Sequence, residues 1–299
     1  MSERLFQSVM FQESGGLRVA GRSRASEYNR GRNEDAMLYV PEAQLAIVMD
    51  GSSGSLGGRA ASREGALYLA DRLGTRKSTS VASTVREIRR ALLDCSPHIE
   101  ETTGARTTAV LVKLVDTKNG RDAVFGNLGD SRGYHFANDS LTRITRDHSL
   151  LHATTISQAK KDAADERMDR VATFEELALL KEIDPVAWRL ICQRNWVVQI
   201  LGEQQSLYPS NDRSNIKLKK DMKLSPRTNV VTLERENKIL LTSDGVHDNL
   251  TIDHMEFILA SSLSNNLATA IVARAYKASQ DYTPRSEQDD MTAVVLSVR

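Results

Sequence analysis

The sequence predicts an α+β fold in which the strands pair mainly antiparallel and the helices stack outside them. Short runs rich in Val, Ile, Leu and Thr end at turn residues, as β-strands do. These runs span residues 45–49, 107–115, 123–128, 239–242 and 291–298. Helical patterns span residues 60–73, 81–93, 255–263 and 267–279. Pairs of helices therefore alternate with groups of strands, whereas a doubly wound parallel sheet has one helix after each strand.

The helical pattern at residues 60–73 has the clearest periodicity. Ala66, Leu69, Ala70 and Leu73 keep the i, i+3, i+4, i+7 spacing that puts side chains on one face of a helix. Such a face must be buried against another element, and a sheet is the natural partner in a chain that also carries apolar strands.

The segment from about residue 156 to 196 differs from its surroundings. It is helical in propensity and dense in charges of both signs between Lys160 and Arg170. It lies between two strand-bearing regions, and it is short for a domain with its own hydrophobic core. We therefore expect a single catalytic domain over residues 1–299, with a helical insertion at about residues 150–196.

Composition and charge argue against several classes of protein. Hydrophobic residues make up 40% and charged residues 26% of the 299 residues, the balance of a soluble globular protein. The formal net charge is +1, so no overall field attracts the chain to nucleic acid or to a membrane. Cys95 and Cys192 form no CxxC motif, which argues against a disulfide framework or a zinc site. With no signal-peptide pattern and no apolar run near the roughly 20 residues that cross a bilayer, we expect a cytoplasmic protein.

Acidic residues lie at the ends of several predicted strands. They are Glu34, Asp35, Asp50, Asp130, Asp244, Asp289 and Asp290. A single Asp-Gly pair is usually only a turn, because Asp bonds locally and Gly tolerates positive φ. Carboxylates at this many strand ends, however, can converge at one end of a sheet, where their mutual repulsion calls for a cation.

The chemistry of this set favours two hard divalent cations. It contains no Cys or His, which suits Mg²⁺ or Mn²⁺ rather than zinc, and the Gly51 carbonyl is a further candidate ligand. Two such cations roughly 3.5–4 Å apart can share a water, lower its pKa and orient it for in-line attack. Arg30, just upstream of Glu34, is the nearest candidate to bind a phosphate, because a guanidinium can donate two parallel hydrogen bonds to it.

These residues lie in motifs that resemble those of the PPM, or type 2C, metal-dependent serine/threonine protein phosphatases, in their bacterial form. The matching segments follow the family's order over nearly the whole chain. They are residues 30–36, 48–51, 104–109, 127–132, 146–149, 242–248 and 289–292. Each motif is weakly specific alone, whereas the ordered set is specific.

The resemblance implies a four-layer αββα sandwich, with two central, mainly antiparallel sheets flanked by helix pairs. It implies hydrolysis of phosphoserine and phosphothreonine in proteins, by direct attack of a water that bridges two metal ions. Phosphorylated proteins would be the substrates and a serine/threonine kinase pathway the functional partner, with no nucleic acid or membrane involved.

The resemblance also assigns roles to the metal-binding candidates. Asp50 would bridge both cations, with the Gly51 carbonyl on one of them. Asp244 and Asp289 would hold the other cation. Asp130 is similar to the residue that holds a third, weaker cation in bacterial members.

The remaining motif residues carry supporting roles and one departure. Glu34 and Asp35 would act through water or by holding the ligands, and Arg30 would bind the phosphate. Ser52 stands where eukaryotic members have a histidine that acts as the general acid, so a water is the expected proton donor. Asp290 stands where the family usually has Asn, which adds negative charge beside the metals.

Several alternatives stay open at the level of sequence. His148 and His247 are expected to be structural rather than catalytic. Besides a protein phosphatase, the chain could be a hydrolase of small phosphomonoesters or a catalytically silent module that binds phosphoproteins. A silent module has no chemical need for every acidic residue and Arg30, which argues against it. The choice between Mg²⁺ and Mn²⁺ is not decided.

Overall fold

The computed structural model describes residues 9–14, 16–27, 32–52, 57–75, 80–149, 157–185, 188, 200–201, 224–261 and 266–299. The strands are β1 (Val9–Ser14), β2 (Leu17–Arg24), β3 (Ala36–Val40), β4 (Leu45–Met49), β5 (Gly51–Ser52), β6 (Arg106–Thr107), β7 (Ala109–Thr117), β8 (Gly120–Leu128), β9 (Arg132–Ala137), β10 (Ser140–Arg143), β11 (Arg227–Leu233), β12 (Lys238–Thr242) and β13 (Met291–Val298). The helices are α1 (Gly58–Leu73), α2 (Val81–Thr103), α3 (Gln158–Arg170), α4 (Phe174–Ile183), α5 (Asp244–His247), α6 (Ile252–Ala260) and α7 (Leu267–Ser279). A 3₁₀-helix, Pro41–Ala43, joins β3 to β4.

Two antiparallel sheets form the centre of the molecule. One has six strands in the order β1-β2-β13-β12-β9-β10, and the other has five in the order β11-β8-β7-β4-β3. Every pairing between the described strands is antiparallel. A short third sheet pairs β5 with β6. The edge strands β10 and β11 each close one end of their sheet.

Side chains of β4 show why the strands read as unbroken apolar runs. Leu45, Ile47 and Met49 belong to the core between the five-stranded sheet and the helices α1 and α2. Ala46 and Val48, on the opposite face, belong to the core between the two sheets. Because both faces of the strand are buried, no polar alternation marks it in the sequence.

The six-stranded sheet repeats this arrangement on the other side of the molecule. Leu240 and Val295 pack with the helices α6 and α7, whereas Leu241 and Val294 face the five-stranded sheet. The layers therefore run helix pair, sheet, sheet, helix pair. The predicted α+β sandwich is confirmed.

Local contacts explain three of the differences between the predicted and the observed boundaries. Helix α2 continues past residue 93 to Thr103, where Gly104 at φ 62° supplies the left-handed conformation that ends it. Helix α6 begins earlier than predicted because the Thr251 side chain accepts a hydrogen bond from the His254 N–H. The predicted strand 107–115 is interrupted at Thr108, whose N–H donates to the carbonyl of Asp50 over 2.8 Å.

Two helices lie in the described part of the segment that the sequence analysis assigns to an insertion. α3 and α4 lie within residues 157–185, and α3 is held to the core by buried charges. Asp169 of α3 accepts hydrogen bonds from Arg132 over 3.0 Å and from Arg143 over 3.5 Å. We call the five side chains of this group the ion network; they are Arg132, Arg143, Asp147, Asp165 and Asp169.

None of the described helices combines the length and the apolar character that crossing a bilayer requires.

Candidate metal centre

The acidic residues predicted at strand ends meet at one end of the two central sheets. Asp50 and Asp130 follow β4 and β8, which run in the same direction in the five-stranded sheet. Asp244 begins α5 directly after β12 and Ser243, and Asp289 comes just before β13, which pairs antiparallel with β12. We call six of these side chains the acidic cluster; they are Glu34, Asp35, Asp50, Asp130, Asp244 and Asp289.

Asp50 and Asp244 lie at the centre of the acidic cluster. Their carboxyl groups lie close enough for the charge of Asp244 to raise the pKa of Asp50. Oδ2 of Asp50 and Oδ1 of Asp244 are shielded from solvent, and neither has a hydrogen-bond partner among the described residues. Burial, followed by the charges of neighbouring carboxylates, raises the pKa of both side chains well above its ordinary value.

Asp130 and Asp289 flank this pair and are also short of compensating charge. Burial first, and then Asp147 and Asp248, raise the pKa of Asp130 to about 8. Burial and Asp244 raise the pKa of Asp289 to about 8. Oδ1 of Asp289 accepts a hydrogen bond from the Asp290 N–H over 2.7 Å, whereas Oδ1 of Asp130 has no partner in the described part of the chain.

Asp35 joins the two sheets at the edge of the cluster. Its Oδ2 accepts a hydrogen bond from the Ser243 hydroxyl over 2.7 Å, and Ser243 is itself held by the Thr292 N–H over 2.9 Å. Burial and Asp290 raise the pKa of Asp35 well above its ordinary value, and the same two causes raise the pKa of Glu34. The strand β3 is thereby fixed beside the turn that carries Asp244.

Asp290 has a role that the sequence did not indicate. Its Oδ1 accepts the Ser26 N–H over 2.7 Å, and its Oδ2 accepts the Glu34 N–H over 2.6 Å. An asparagine in the same orientation would place its NH₂, a donor, opposite one of the two N–H groups, so that one of these hydrogen bonds would be lost. The aspartate therefore ties together the two ends of the segment between Ser26 and Glu34, in addition to raising the pKa of its acidic neighbours.

Two glycines bring the backbone close to the cluster. A Cβ on Gly51 would lie 2.3 Å from the carbonyl oxygen of Gly58, and a Cβ on Gly58 would lie 2.7 Å from Oε2 of Glu34. Any side chain at either position would displace its neighbours. The carbonyl of Asp50 is held from the other side by Thr107 Oγ1 over 2.7 Å and the Thr108 N–H over 2.8 Å.

The donor set fits a hard divalent cation. None of the acidic-cluster side chains forms an ion pair with a described lysine, arginine or histidine, and several of their oxygens are buried without a partner. Among the residues that the structure describes, no three His, Cys, Asp or Glu side chains already enclose a common point. Mg²⁺ keeps several waters and binds through one or two carboxylates, so it does not need such a closed cage.

The family of this chain is established by a match that covers most of its sequence. The model of the family described as Protein phosphatase 2C matches residues 21–280. The chain belongs to the protein phosphatase 2C family. Among curated relatives of this phosphatase 2C chain, the serine/threonine phosphatase stp of Listeria innocua is 28% identical over 116 residues, and that of Listeria welshimeri is 31% identical over 119 residues. These matches cover 36% of this chain and 44% of each relative, so the chain spans less than half the length of the curated relatives it matches.

Solved structures of similar fold extend over almost the whole phosphatase 2C chain. Serine/threonine phosphatase Stp1 from Staphylococcus aureus has a TM-score of 0.68 at 18% identity, covering 97% of this chain and 98% of that one. The catalytic domain of the phosphatase PstP, solved in complex with two manganese ions, has a TM-score of 0.62 at 20% identity, covering 94% and 97%. At these identities the likeness establishes the shared fold.

The structure describes the two histidines of the sequence analysis in this phosphatase 2C chain, but not Arg30, the predicted phosphate-binding residue. Arg30 lies outside the described residues. His148 is buried, accepts the Gly129 N–H at Nδ1 over 3.2 Å and therefore donates from Nε2 to the Ser225 carbonyl over 2.9 Å. His247 is buried and bonded to Thr242 over 2.9 Å. Burial lowers the pKa of both imidazoles, as expected of structural histidines.

Sequence reasoning missed the residues that hold the acidic cluster in position. Thr107 and Thr108 fix the Asp50 backbone, Ser243 orients Asp35, and Gly58 makes room for Glu34. Gly58 lies in the glycine- and serine-rich run that follows Asp50. Thr107, Thr108 and Ser243 lie in the motif segments 104–109 and 242–248, but their contacts join positions that are far apart in the sequence.

Proposed function

We propose that this chain is a metal-dependent phosphatase that hydrolyses phosphoserine and phosphothreonine in proteins. The observation that carries the proposal is the uncompensated Asp50–Asp244 pair at the centre of the acidic cluster, in a member of the protein phosphatase 2C family. Two buried carboxylates with raised pKa values and no basic partner call for a cation when both are ionised. The proposal extends to the whole chain as one catalytic domain.

In this proposal the acidic cluster holds Mn²⁺ or Mg²⁺ through oxygen atoms alone. Asp50 contributes to two cation positions, the Gly51 carbonyl to one of them, and Asp244 and Asp289 to the other. Asp130 is the candidate for a third position. When bound, such cations supply a water of lowered pKa and positive charge opposite the phosphoryl oxygens.

The remaining residues orient this site and its substrate. Asp35 and Glu34 act through water or by holding the ligands, because Asp35 is fixed by Ser243 and Glu34 lies against Gly58. Arg30 binds the phosphate through its guanidinium fork. Ser52, exposed in β5, offers no imidazole, so the leaving alkoxide takes its proton from water.

The test is turnover of an aryl phosphate and of a phosphothreonine peptide with Mn²⁺, Mg²⁺ or a chelator. We expect metal-dependent hydrolysis of both, and Asp50→Asn should lower kcat by more than about a hundredfold, since preorganised charge stabilisation in active sites is worth that much. Asp253→Asn, on the exposed face of α6, should leave turnover unchanged.

The outcomes separate the three functions open at the level of sequence. Hydrolysis of the aryl phosphate without hydrolysis of the peptide would replace the proposal with a small-molecule phosphatase. Turnover in the chelator equal to that with Mn²⁺ or Mg²⁺ would contradict the proposed dependence on a metal. The absence of turnover with every metal, in protein shown by circular dichroism to be folded, would leave a binding module.

A further inference from the structure

A basic cleft lies where the edges of the two central sheets meet. Its walls come from the end of β10, the start of β11 and one residue of α2, and it encloses about 550 Å³. The side chains that define it are Arg89, Arg143, Arg146 and Arg227, with Ile144, Ser225, Pro226, Thr228 and Asn229 between them. None of these described lining residues is acidic.

Two of the four arginines already have counter-ions. Arg143 belongs to the ion network, and Arg146 lies 3.2 Å from Asp162 of α3. Arg89 and Arg227 form no ion pair with any carboxylate in the described part of the chain. Burial first, and then the nearby Arg146, lower the pKa of Arg227, although Asp147 and Asp165 act in the opposite direction without forming an ion pair with it. The cleft therefore has positive charge that the protein does not neutralise.

The walls of the cleft are fixed to the acidic cluster. The Asn229 side chain donates to the Ile144 carbonyl over 2.9 Å, which ties β11 to the segment after β10. His148 links the Ser225 carbonyl to the backbone of Gly129, the residue before Asp130. The cleft is thus part of the folded frame that carries Asp130.

Strand geometry sets the distance from the cleft to the centre of the cluster. Arg227 is paired with Asn127, near the end of β8 that leads to Asp130. In the sheet order, β11 is three strands from β4, the strand that leads to Asp50. At about 4.8 Å between neighbouring strands this separation is about 14 Å, the length of about four residues of an extended peptide.

We propose that this cleft binds acidic or phosphorylated side chains of the peptide substrate, about four or five residues from the phosphorylated residue. The proposal rests on the proposed function for its substrate class and names the feature of the sequence that the substrate must carry. Arg89 and Arg227 supply the free charge, and a guanidinium donates two parallel hydrogen bonds to a carboxylate or a phosphate. The closed ion network keeps Arg143 from competing for the ligand.

The experiment compares kcat/KM for phosphothreonine peptides that carry Glu or Gln at the fourth and fifth positions on either side. We expect the wild-type protein to prefer the Glu peptide of one side by about threefold to tenfold, the size expected for two charge pairs that stay in contact with solvent. The double variant R89Q/R227Q should bring this ratio to about one. Arg235→Gln, an exposed arginine beyond the far end of β11, is the matched control and should retain the wild-type ratio.

The dependence on salt of the kcat/KM ratio between the Glu and Gln peptides is a second test. Screening shortens the range of exposed charge interactions to about 3 Å at 1 M ionic strength, so the wild-type preference should decrease as salt is added while that of R89Q/R227Q stays flat. The proposal for the cleft would be wrong if R89Q/R227Q kept the preference of the wild type, or if active wild type showed no preference. Neither result would contradict the proposed phosphatase activity.

Absence of all turnover would overturn the proposed function instead, and the cleft would then be tested by binding. The probe is a fluorescently labelled peptide with two Glu residues, measured by anisotropy against its Gln counterpart. Tighter binding of the Glu peptide by the wild type but not by R89Q/R227Q supports the cleft. Equal binding of both peptides by the wild type overturns it.

Discussion

The acidic cluster and the ion network are two buried groups of carboxylates that differ in what balances their charge. They are neighbours in the chain, since only Ser131 separates Asp130 from Arg132. In the ion network, Arg132 donates to Asp147 over 2.8 Å and to Asp169 over 3.0 Å. In the acidic cluster, no described basic side chain forms an ion pair with any member.

The pKa values show the consequence of this difference. Burial alone would raise the pKa of Asp147, but Arg132 and Arg143 hold it below its ordinary range. Burial and neighbouring carboxylates raise the pKa of Asp50 and Asp244 instead. Within the ion network only Asp165, the third carboxylate beside two arginines, has a raised pKa, of about 6, mainly because of burial. The protein therefore balances most of one group of charges with its own side chains and leaves the other to be balanced by a ligand.

Removing a cation from the ion network should give the largest effect on stability. Arg132→Met keeps most of the side-chain volume but leaves Asp147 and Asp169 buried without their main partner. We expect the free energy of unfolding to fall by about 3–5 kcal/mol, the usual cost of breaking a buried pair from one side. Urea unfolding in a chelator would measure it.

The matched control for this prediction removes the stranded charges as well. Adding Asp147→Asn and Asp169→Asn to Arg132→Met should recover part of the lost stability, because fewer uncompensated charges remain buried. A loss below about 1 kcal/mol for the single variant would show that water or Arg143 compensates the carboxylates, and the contrast between the two groups would fail.

Removing an anion from the acidic cluster should act in the opposite direction. Asp50→Asn keeps the size of the side chain and relieves its repulsion with Asp244. In a chelator we expect the free energy of unfolding to rise by on the order of 1 kcal/mol, a typical size for the effect of one substitution. Saturating Mn²⁺ should then stabilise the wild type more than the variant, since a ligand stabilises the state that binds it. If Asp50→Asn were less stable than the wild type in the chelator, repulsion between Asp50 and Asp244 would not destabilise the metal-free protein.

The strand ends illustrate how much of the molecule its sequence predicts. Runs such as Leu45–Met49 are apolar on every residue because both faces of the strand are buried, and the aspartate that follows each run is visible in the sequence. The fold class and the members of the acidic cluster follow from such local patterns. The structure also brings Asp35 and Ser243 within hydrogen-bond distance, although they are 208 residues apart.

Contacts of that kind explain what the sequence does not predict. Asp290 differs from the usual Asn of the family, and the sequence indicates only an added negative charge. The reason for the aspartate is the pair of backbone N–H groups from Ser26 and Glu34, which no local pattern encodes. The ion network is hidden for the same reason, because Asp169 meets Arg132 only after the insertion folds onto the core.

The two groups should also differ in how stability depends on pH. A carboxyl whose folded pKa is raised stabilises the fold while it is protonated, and this contribution is lost as pH rises through the folded pKa. Asp130, with a pKa of about 8, should therefore lower the stability of metal-free protein by about 1 kcal/mol between pH 7 and pH 8.

Asp289, whose pKa is also about 8, titrates in the same window, so the difference in slope between the wild type and Asp130→Asn reports the contribution of Asp130. His148 and His247 have lowered pKa values in the fold, so their contribution changes below their ordinary pKa of 6.5. Asp147 has a lowered pKa and loses its contribution only in acid. Urea unfolding in a chelator, with Asp130→Asn as the control, should show the slope in the wild type and a weaker one in the variant. Constant stability over this range would contradict the raised pKa.

The smallest effect on stability should come from a surface ion pair that is as short as the buried pair between Arg132 and Asp147. Arg170 of α3 lies 2.8 Å from Asp253 of α6, the same distance that separates Arg132 from Asp147. The side chains of the surface pair are 56% and 60% exposed, against 4% and 3% for the buried pair. Water solvates each partner once the other is removed, so Arg170→Met should lower the free energy of unfolding by less than about 1 kcal/mol. If this loss matched that of Arg132→Met under the same urea titration, distance rather than burial would set the strength of these pairs.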